Sequence, residues 1–362
     1  MGRKRDRLLF APRRKRHPGC LMNILLLFFV LALVFGLNHV NNGHATLLHQ
    51  PVTVAGMASA YEGFPILHLS DLHAARFGEA QQRIRQLIRL ENYRAVCLTG
   101  DMVGRSGDVQ PLLDLLAQLP TDVPVFLIAG DDDPEAIRSR HVGTGEVKAD
   151  FIRQAEEAGA IYLDSPYKVV YEGRNVWFSP ASMYTTDLRA AAFALEERRA
   201  ELVAGGADTP DGAAALRAVE YQIDVLASAD EARKEMKPDD CYILLSHVPL
   251  DATAVSGLHE GERLQRKAVN FPGTVSLILA GHWNNGQWRL PLIGPVYVPS
   301  GEVGLRGWLP GDREVSGLAM VYAVPEYISP GLGVSGAYPW WMPFRLFNRP
   351  QLTLIKLTAR IT

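Results

Sequence analysis

With 362 residues, 48% hydrophobic and 21% charged, the chain has the composition of a globular protein, which excludes a disordered or collagen-like one. Its three cysteines, Cys20, Cys97 and Cys241, make no disulfide framework. Eight of the 37 basic residues but one of the 39 acidic residues precede residue 21, so the formal net charge of -2 hides a remainder of about -9, which excludes nucleic acid as a partner.

The first 20 residues form a basic tail in which Arg3, Lys4, Arg5, Arg7, Arg13, Arg14, Lys15 and Arg16 stand against Asp6. Residues 21–37 follow with no charge at all, at the short end of the roughly 17 to 25 apolar residues that cross a bilayer. The positive-inside rule then puts the N-terminus in the cytoplasm and the rest of the chain outside, anchored in the cell membrane by one transmembrane helix. A cleaved signal peptide is the alternative, since Gly43-His44-Ala45 has the small-x-small form of a cleavage site. Residues 38–62 show no clear periodicity and read as a stalk or a first edge strand.

From residue 63 onward, short apolar runs alternate with helical patterns. Ile66–Leu69, Ala95–Thr99, Val123–Ala129, Val176–Ser179, Tyr242–Ser246 and Val275–Ala280 read as buried strands. Glu79–Glu91 and Val109–Leu119 carry apolar residues at helical spacing, and the alternation argues for a layered α/β domain over 63–362. Cys97 and Cys241 lie within strand-like runs and read as small buried hydrophobes. One segment, 186–236, breaks the rhythm: it is rich in Ala, Glu, Leu and Arg and is interrupted by Gly205-Gly206-Ala207-Asp208-Thr209-Pro210-Asp211-Gly212. It reads as an inserted helical hairpin, either packed on the flank of the domain or serving as a lid, a membrane-facing element or a contact for a protein partner.

Five predicted strands deliver polar clusters to their ends: Asp71 and His73, then Asp101, then Asp131, Asp132 and Asp133, then His247, then His282 and Asn284. In a layered sheet such clusters meet at one edge, where carboxylates and imidazoles hold divalent metal. In this order they resemble the calcineurin-like metallophosphoesterase superfamily, whose blocks are Asp-x-His, Gly-Asp, Gly-Asn-His-Asp/Glu, a His, and Gly-His-x-His. The resemblance covers residues 64–358 apart from the insert. The later stretches Gly286–Pro291, Ser329–Gly336 and Phe344–Pro350 are similar to its membrane-anchored bacterial branch. It implies an α-β-β-α sandwich and two divalent metal ions, whether Mn, Fe, Zn or Mg. One metal would take Asp71, His73, Asp101 and Asn284, the other Asp101, Asp131, His247 and His282.

Two blocks depart from that pattern. Asp131 and Asp132 stand where the superfamily has asparagine and histidine, and the resemblance makes Asp132 the candidate proton donor to the leaving group. Asn284 stands for the final histidine and implies a weaker amide-oxygen ligand, hence a less tightly held ion. The expected activity is metal-dependent hydrolysis of a phosphate ester or diphosphate. The anchor and the apolar stretch Tyr338–Phe344, either a loop dipping into the membrane interface or a cap on the core, point to a lipid-linked or cell-envelope substrate. Arg289, Arg345 and Arg349 are candidates for pairing with substrate phosphate or for surface ion pairs. The competing expectation is a binding or scaffold protein at the membrane that keeps the fold and has lost catalysis.

Overall fold

A computed structural model describes residues 18–143, 145–205, 207–250, 272–299, 307–311, 315–321 and 324–359, so most of the basic tail lies outside the described residues. The chain separates into two units, one ending at Asn41 and the other covering Asn42–Thr362. The first is dominated by helix α1 (Pro18–Asn42), whose stretch Met22–Asn42 has a mean hydropathy of 2.2 and the length to cross a membrane. That stretch is longer than the uncharged run alone, because the uncharged polar and apolar residues after Leu37 continue the helix.

The second unit follows the order β1 (Thr46–Val54), β2 (Pro65–Leu69), α2 (Gln82–Ile88), β3 (Ala95–Thr99), α3 (Gln110–Leu116), β4 (Val125–Ile128), α4 (Asp150–Glu157), β5 (Ala160–Tyr162), β6 (Tyr167–Tyr171) and β7 (Arg174–Pro180). Then come α5 (Ala181–Thr185), α6 (Leu188–Gly205), α7 (Pro210–Glu235), β8 (Cys241–Leu245) and β9 (Leu277–Ala280). The short β10 (Arg289–Leu290), β11 (Gly294–Pro295), β12 (Tyr297–Val298) and β13 (Gly307–Trp308) precede β14 (Gly317–Val321), β15 (Val324–Ile328) and β16 (Gln351–Ala359).

Among the described residues two six-stranded sheets form, in the orders β1-β16-β2-β3-β4-β5 and β14-β15-β9-β8-β7-β6. In the first, β2, β3, β4 and β5 are parallel; in the second, β7, β8, β9 and β15 are. Parallel strands put their C-terminal ends on one edge, which is why the polar clusters converge. The region expected as a stalk is corrected in part: β1 is the edge strand of the first sheet, parallel to β16 from Thr46 opposite Gln351, so the folded body starts before residue 63.

Alternation along each strand sorts the core into layers. Leu67, Val96, Leu98 and Leu127 face the cluster made with α2, α3 and α4, while Ile66, Cys97 and Phe126 face Phe178, Ile243 and Leu279 of the opposite sheet. Trp177, Tyr242 and Ile278 form the outer face of the second sheet with Ala229 of α7 and Met236. The layers are therefore α-β-β-α. Phe126 stacks on Phe178 at 4.5 Å between ring centroids, tying the two sheets together. Cys97 and Cys241 are buried and free, and burial pushes their thiols up, that of Cys241 to about 12.

The helix expected over 79–91 is shorter because Ala80 and Gln81 take left-handed backbone angles before α2. The inserted hairpin is present as α6 and α7, and Thr209 caps α7 by accepting from the Gly212 N–H at 3.0 Å, with Pro210 at the first helical position.

Polar groups interrupt the layer between the sheets near the strand ends. His68 Nε2 meets Thr99 Oγ1 at 2.8 Å, its Nδ1 is buried with no hydrogen-bond partner among the described residues, and Tyr327 packs edge-on against the ring. Burial pushes the His68 pKa down to about 3. An unfolded histidine takes a proton near pH 6.5, so from there down to about 3 the unfolded chain binds more protons and folding weakens as pH falls, by about 1.4 kcal/mol per pH unit. Denaturant titrations between pH 6 and 4 on wild type and His68→Gln are expected to show a shallower loss of stability with acid in the variant.

Candidate metal centre

Each site residue sits where a strand gives way to a sharp turn. Asp71 (φ 52°), His73 (φ 45°), Asp101 (φ 54°), His282 (φ 76°) and Asn284 (φ 48°) all occupy the left-handed region, where residues other than glycine are uncommon. The turns are braced from neighbouring strands: the Asp71 N–H donates to Gly100 O at 3.0 Å, the His73 N–H to Asp101 O at 2.8 Å and the His282 N–H to Asp71 Oδ1 at 2.9 Å. Two glycines make room for this crowding. A Cβ on Gly130 would lie 2.1 Å from Asp101 Oδ1, and one on Gly100 (φ +86°) would lie 2.5 Å from His247 Nδ1.

The side chains gather into two overlapping groups. Asp71, His73 and Asp101 form one and Asp101, Asp131, His247 and His282 the other, with ligand atoms in each group within 4.8 Å of one another. Asp101 belongs to both, its Oδ2 standing 3.5 Å from His73 Nε2 and 3.3 Å from His247 Nε2. Asp131 Oδ1 lies 2.7 Å from His247 Nε2 and 2.9 Å from His282 Nδ1.

The electrostatics are those of a cation site. Asp71 is fully buried, and burial together with the Asp101 charge raises its pKa against the pull of His247, His73 and the Ser70 hydroxyl. Burial also acts to raise Asp101 and Asp131, but hydrogen bonds and charge from the histidines carry both below the usual carboxylate range. Burial alone would lower His247, yet its bonds to Asp101 and Asp131 and the nearby Asp71 raise it well above the usual value. Carboxylate oxygens and imidazole nitrogens gathered in this way fit divalent metal. His247 Nδ1 lies 2.9 Å from Thr99 O, which accepts a hydrogen bond from it and leaves Nε2 facing the carboxylates.

Of the eight residues singled out from the sequence, six lie within these two groups. Asn284 is adjacent and buried, but its amide faces the other way from an oxygen ligand. Its Nδ2 lies 3.4 Å from both Asp71 Oδ1 and His73 Nε2, while its Oδ1 faces Arg345 Nη1 at 3.4 Å. Arginine has no acceptor, so the amide oxygen turns toward the guanidinium. Asp132 also faces away: its Oδ1 accepts from Arg105 Nε at 2.6 Å and its Oδ2 from the Ser335 hydroxyl at 2.9 Å, and only its backbone N–H reaches Asp101, at 2.9 Å.

Arg345, a candidate for substrate phosphate or a surface ion pair, is instead 1% exposed and donates to Pro330 O, Gly333 O and Asn348 O. Burial lowers its pKa to about 10. Arg289 and Arg349 donate to the carbonyls of Asn285 and His44. Asp133, which the sequence placed in the third polar cluster without a role of its own, accepts from the N–H groups of Met102, Val103, Gly104 and Gly130 and so fixes the loop after Asp101. A carboxylate next to a glycine-rich turn is the usual partner of free backbone N–H groups.

The family model of the calcineurin-like phosphoesterase matches residues 64–285, and the chain belongs to that family. No curated protein matches the chain. Among solved structures, that of a phosphopantetheinyl hydrolase from Mycobacterium tuberculosis aligns over 82% of this chain and 96% of its own, with 13% identity and a TM-score of 0.38. Family membership makes the chain a metal-dependent phosphoesterase at the general level.

Since a cation must displace the proton that His247 holds, Mn²⁺ affinity is expected to fall by about tenfold per pH unit per displaced proton as the solution is made acidic. Calorimetric titrations between pH 8 and 6 measure this, and His247→Ala is expected to flatten the dependence. Elemental analysis should find that Asp101→Ala depletes metal from both groups, whereas His73→Ala depletes one.

Proposed function

We propose that the chain hydrolyses a phosphate ester or diphosphate of a lipid or cell-envelope intermediate on the outer side of the membrane, with α1 retained as the anchor and the N-terminus cytoplasmic. The observation that carries the hydrolytic reading is the pair of Asp/His groups sharing Asp101. Asp71, His73 and Asp101 would hold one divalent ion, and Asp101, Asp131, His247 and His282 the other. Such ions, when bound, supply Lewis-acid charge to phosphoryl oxygens and lower the pKa of water.

The chain's own residues set the rest. Thr99 O fixes the His247 tautomer. Arg105, held at Nε by Asp132, has an exposed side chain whose terminal nitrogens have no partner among the described residues, so they are free to take a substrate phosphate oxygen. Asp132 accepts at both oxygens and is read as the positioning residue for Arg105 in place of the proton donor. Without a donor there, substrates whose leaving group is a weak base are favoured.

The membrane-side reading rests on exposed apolar side chains of the domain. Trp308, Leu309, Trp340, Leu292 and Ile293 are exposed, and Trp308 stacks on Trp341 at 5.9 Å. In the stretch Tyr338–Phe344 both expected roles are supported. Tyr338 and Met342 are buried, and the Tyr338 hydroxyl donates to Trp283 O at 2.6 Å, beside His282; Trp340 projects outward.

Full-length protein loaded with Mn²⁺ is expected to hydrolyse bis-p-nitrophenyl phosphate. Asp101→Ala should cost more than the roughly 10- to 100-fold typical of residues behind metal ligands. Metal-loaded protein with no turnover would favour the scaffold reading, for which the Asn284 amide orientation is the specific support. For Asp132→Asn, KM is expected to rise about tenfold with kcat largely kept. A collapse of kcat together with loss of the basic limb of the pH profile would return Asp132 to the role of acid.

A further inference from the structure

A cavity of about 310 Å³ opens beside the metal centre and extends away from it across the strand ends. His247 lines it at the metal end, Ile128 and Leu245 line it from the two sheets, and Asp164, Ser182 and Tyr162 line it further along. Its size lies at the low end of the roughly 300 to 1,000 Å³ of ligand pockets, which is ample for a small substituent.

The polarity of the lining is one-sided. Asp164 supplies a carboxylate, and among the described residues neither lysine nor arginine lines the cavity. Lys148, near its wall, is engaged by Glu156 at 2.6 Å and sits over the rings of Tyr162 and Tyr221. A second phosphate at the Asp164 end of this space would face a carboxylate, with no lysine or arginine among the described lining residues. An ammonium group would instead meet a carboxylate and serine oxygens. Asp164 is aimed by the inserted hairpin: the Tyr221 hydroxyl of α7 donates to Asp164 Oδ2, while Oδ1 has no partner among the described residues.

We propose that this cavity is the subsite for a primary ammonium group, and that the substrate is a phosphodiester or diphosphate carrying an amino alcohol on the phosphorus that sits at the metal centre. This deepens the hydrolytic reading and rests on it. Asp164 binds the ammonium, and Tyr221 is a positioning residue that orients Asp164, which gives the insert a part in substrate choice.

The test compares 2-aminoethyl p-nitrophenyl phosphate with its n-propyl counterpart on Mn²⁺-loaded full-length protein, and 2-aminoethylphosphonate with n-propylphosphonate by calorimetry. Wild type is expected to prefer the amino compound by about tenfold in both kcat/KM and affinity, as for a charge-assisted hydrogen bond. The ratio should fall to about one in Asp164→Asn and to an intermediate value in Tyr221→Phe, in variants checked for wild-type Mn²⁺ content and melting temperature. Equal treatment of the two compounds by wild type, or a preference that survives Asp164→Asn, overturns the proposal. So does a stronger preference for a 2,3-dihydroxypropyl ester, which would make the subsite one for neutral hydroxyls. Absence of hydrolysis with either ester alongside selective phosphonate binding would overturn the hydrolytic reading and leave the subsite standing.

Discussion

Three carboxylates, Asp71, Asp101 and Asp131, converge with three imidazoles at one edge of the sandwich, and the rest of the structure is arranged around that concentration of negative charge. Burying even one carboxylate without a partner costs several kcal/mol. The fold buries two, Asp71 and Asp101, and leaves Asp131 exposed, steering histidines from three loops toward them and supplying backbone N–H donors. Asp101 shows the scheme: its Oδ2 faces His73 and His247, and its Oδ1 accepts from the Asp132 N–H. Left-handed turns at five positions are part of the same arrangement, because a strand that continued extended would carry these side chains past one another.

That arrangement depends on the sandwich being stiff at its strand ends. Phe126 stacked on Phe178 and the alternation of the parallel strands set the spacing of the two sheets, and hence the distance from Asp101 on one to His247 on the other. Asp133 contributes from the loops by collecting four backbone N–H groups, so the turn holding Asp101 is tied to the turn holding Asp131. A local change in either loop therefore reaches both metal groups.

Much of this was legible in the sequence for a physical reason. A parallel strand buried on both faces is a short run of β-branched and aliphatic residues, and the residue that follows it lies at the functional edge; Asp71, Asp101, His247 and His282 were found by that rule alone. A layered α/β domain follows from the same alternation, and the resemblance to the family implied its α-β-β-α order. What stayed hidden depends on partners far away in sequence. Asn284 and Arg345 are 61 residues apart, Asp132 and Ser335 are 203 apart, and spacing alone reports neither pair. The β1 strand was ambiguous because an edge strand buries only part of one face, and its burial alternates irregularly until Val52.

The two departures from the family's pattern share a logic once their partners are seen. Each places a neutral or acidic side chain where the superfamily has an imidazole, and each is matched by an arginine: Asn284 by Arg345, Asp132 by Arg105. An imidazole can give up a proton within the physiological range, whereas a guanidinium cannot. On the proposed reading, the chain has exchanged titratable groups for fixed charge at two points beside the metals. Such a site has less to offer an alkoxide, which must be protonated as it leaves. It has as much to offer a phosphoryl group whose leaving group departs as a weak base, because the fixed charge of Arg105 is still placed to hold a non-bridging oxygen. Selection among substrates then passes from proton donation to binding, and the cavity that runs from His247 toward Asp164 is the place in the fold with the shape and charge to make that selection.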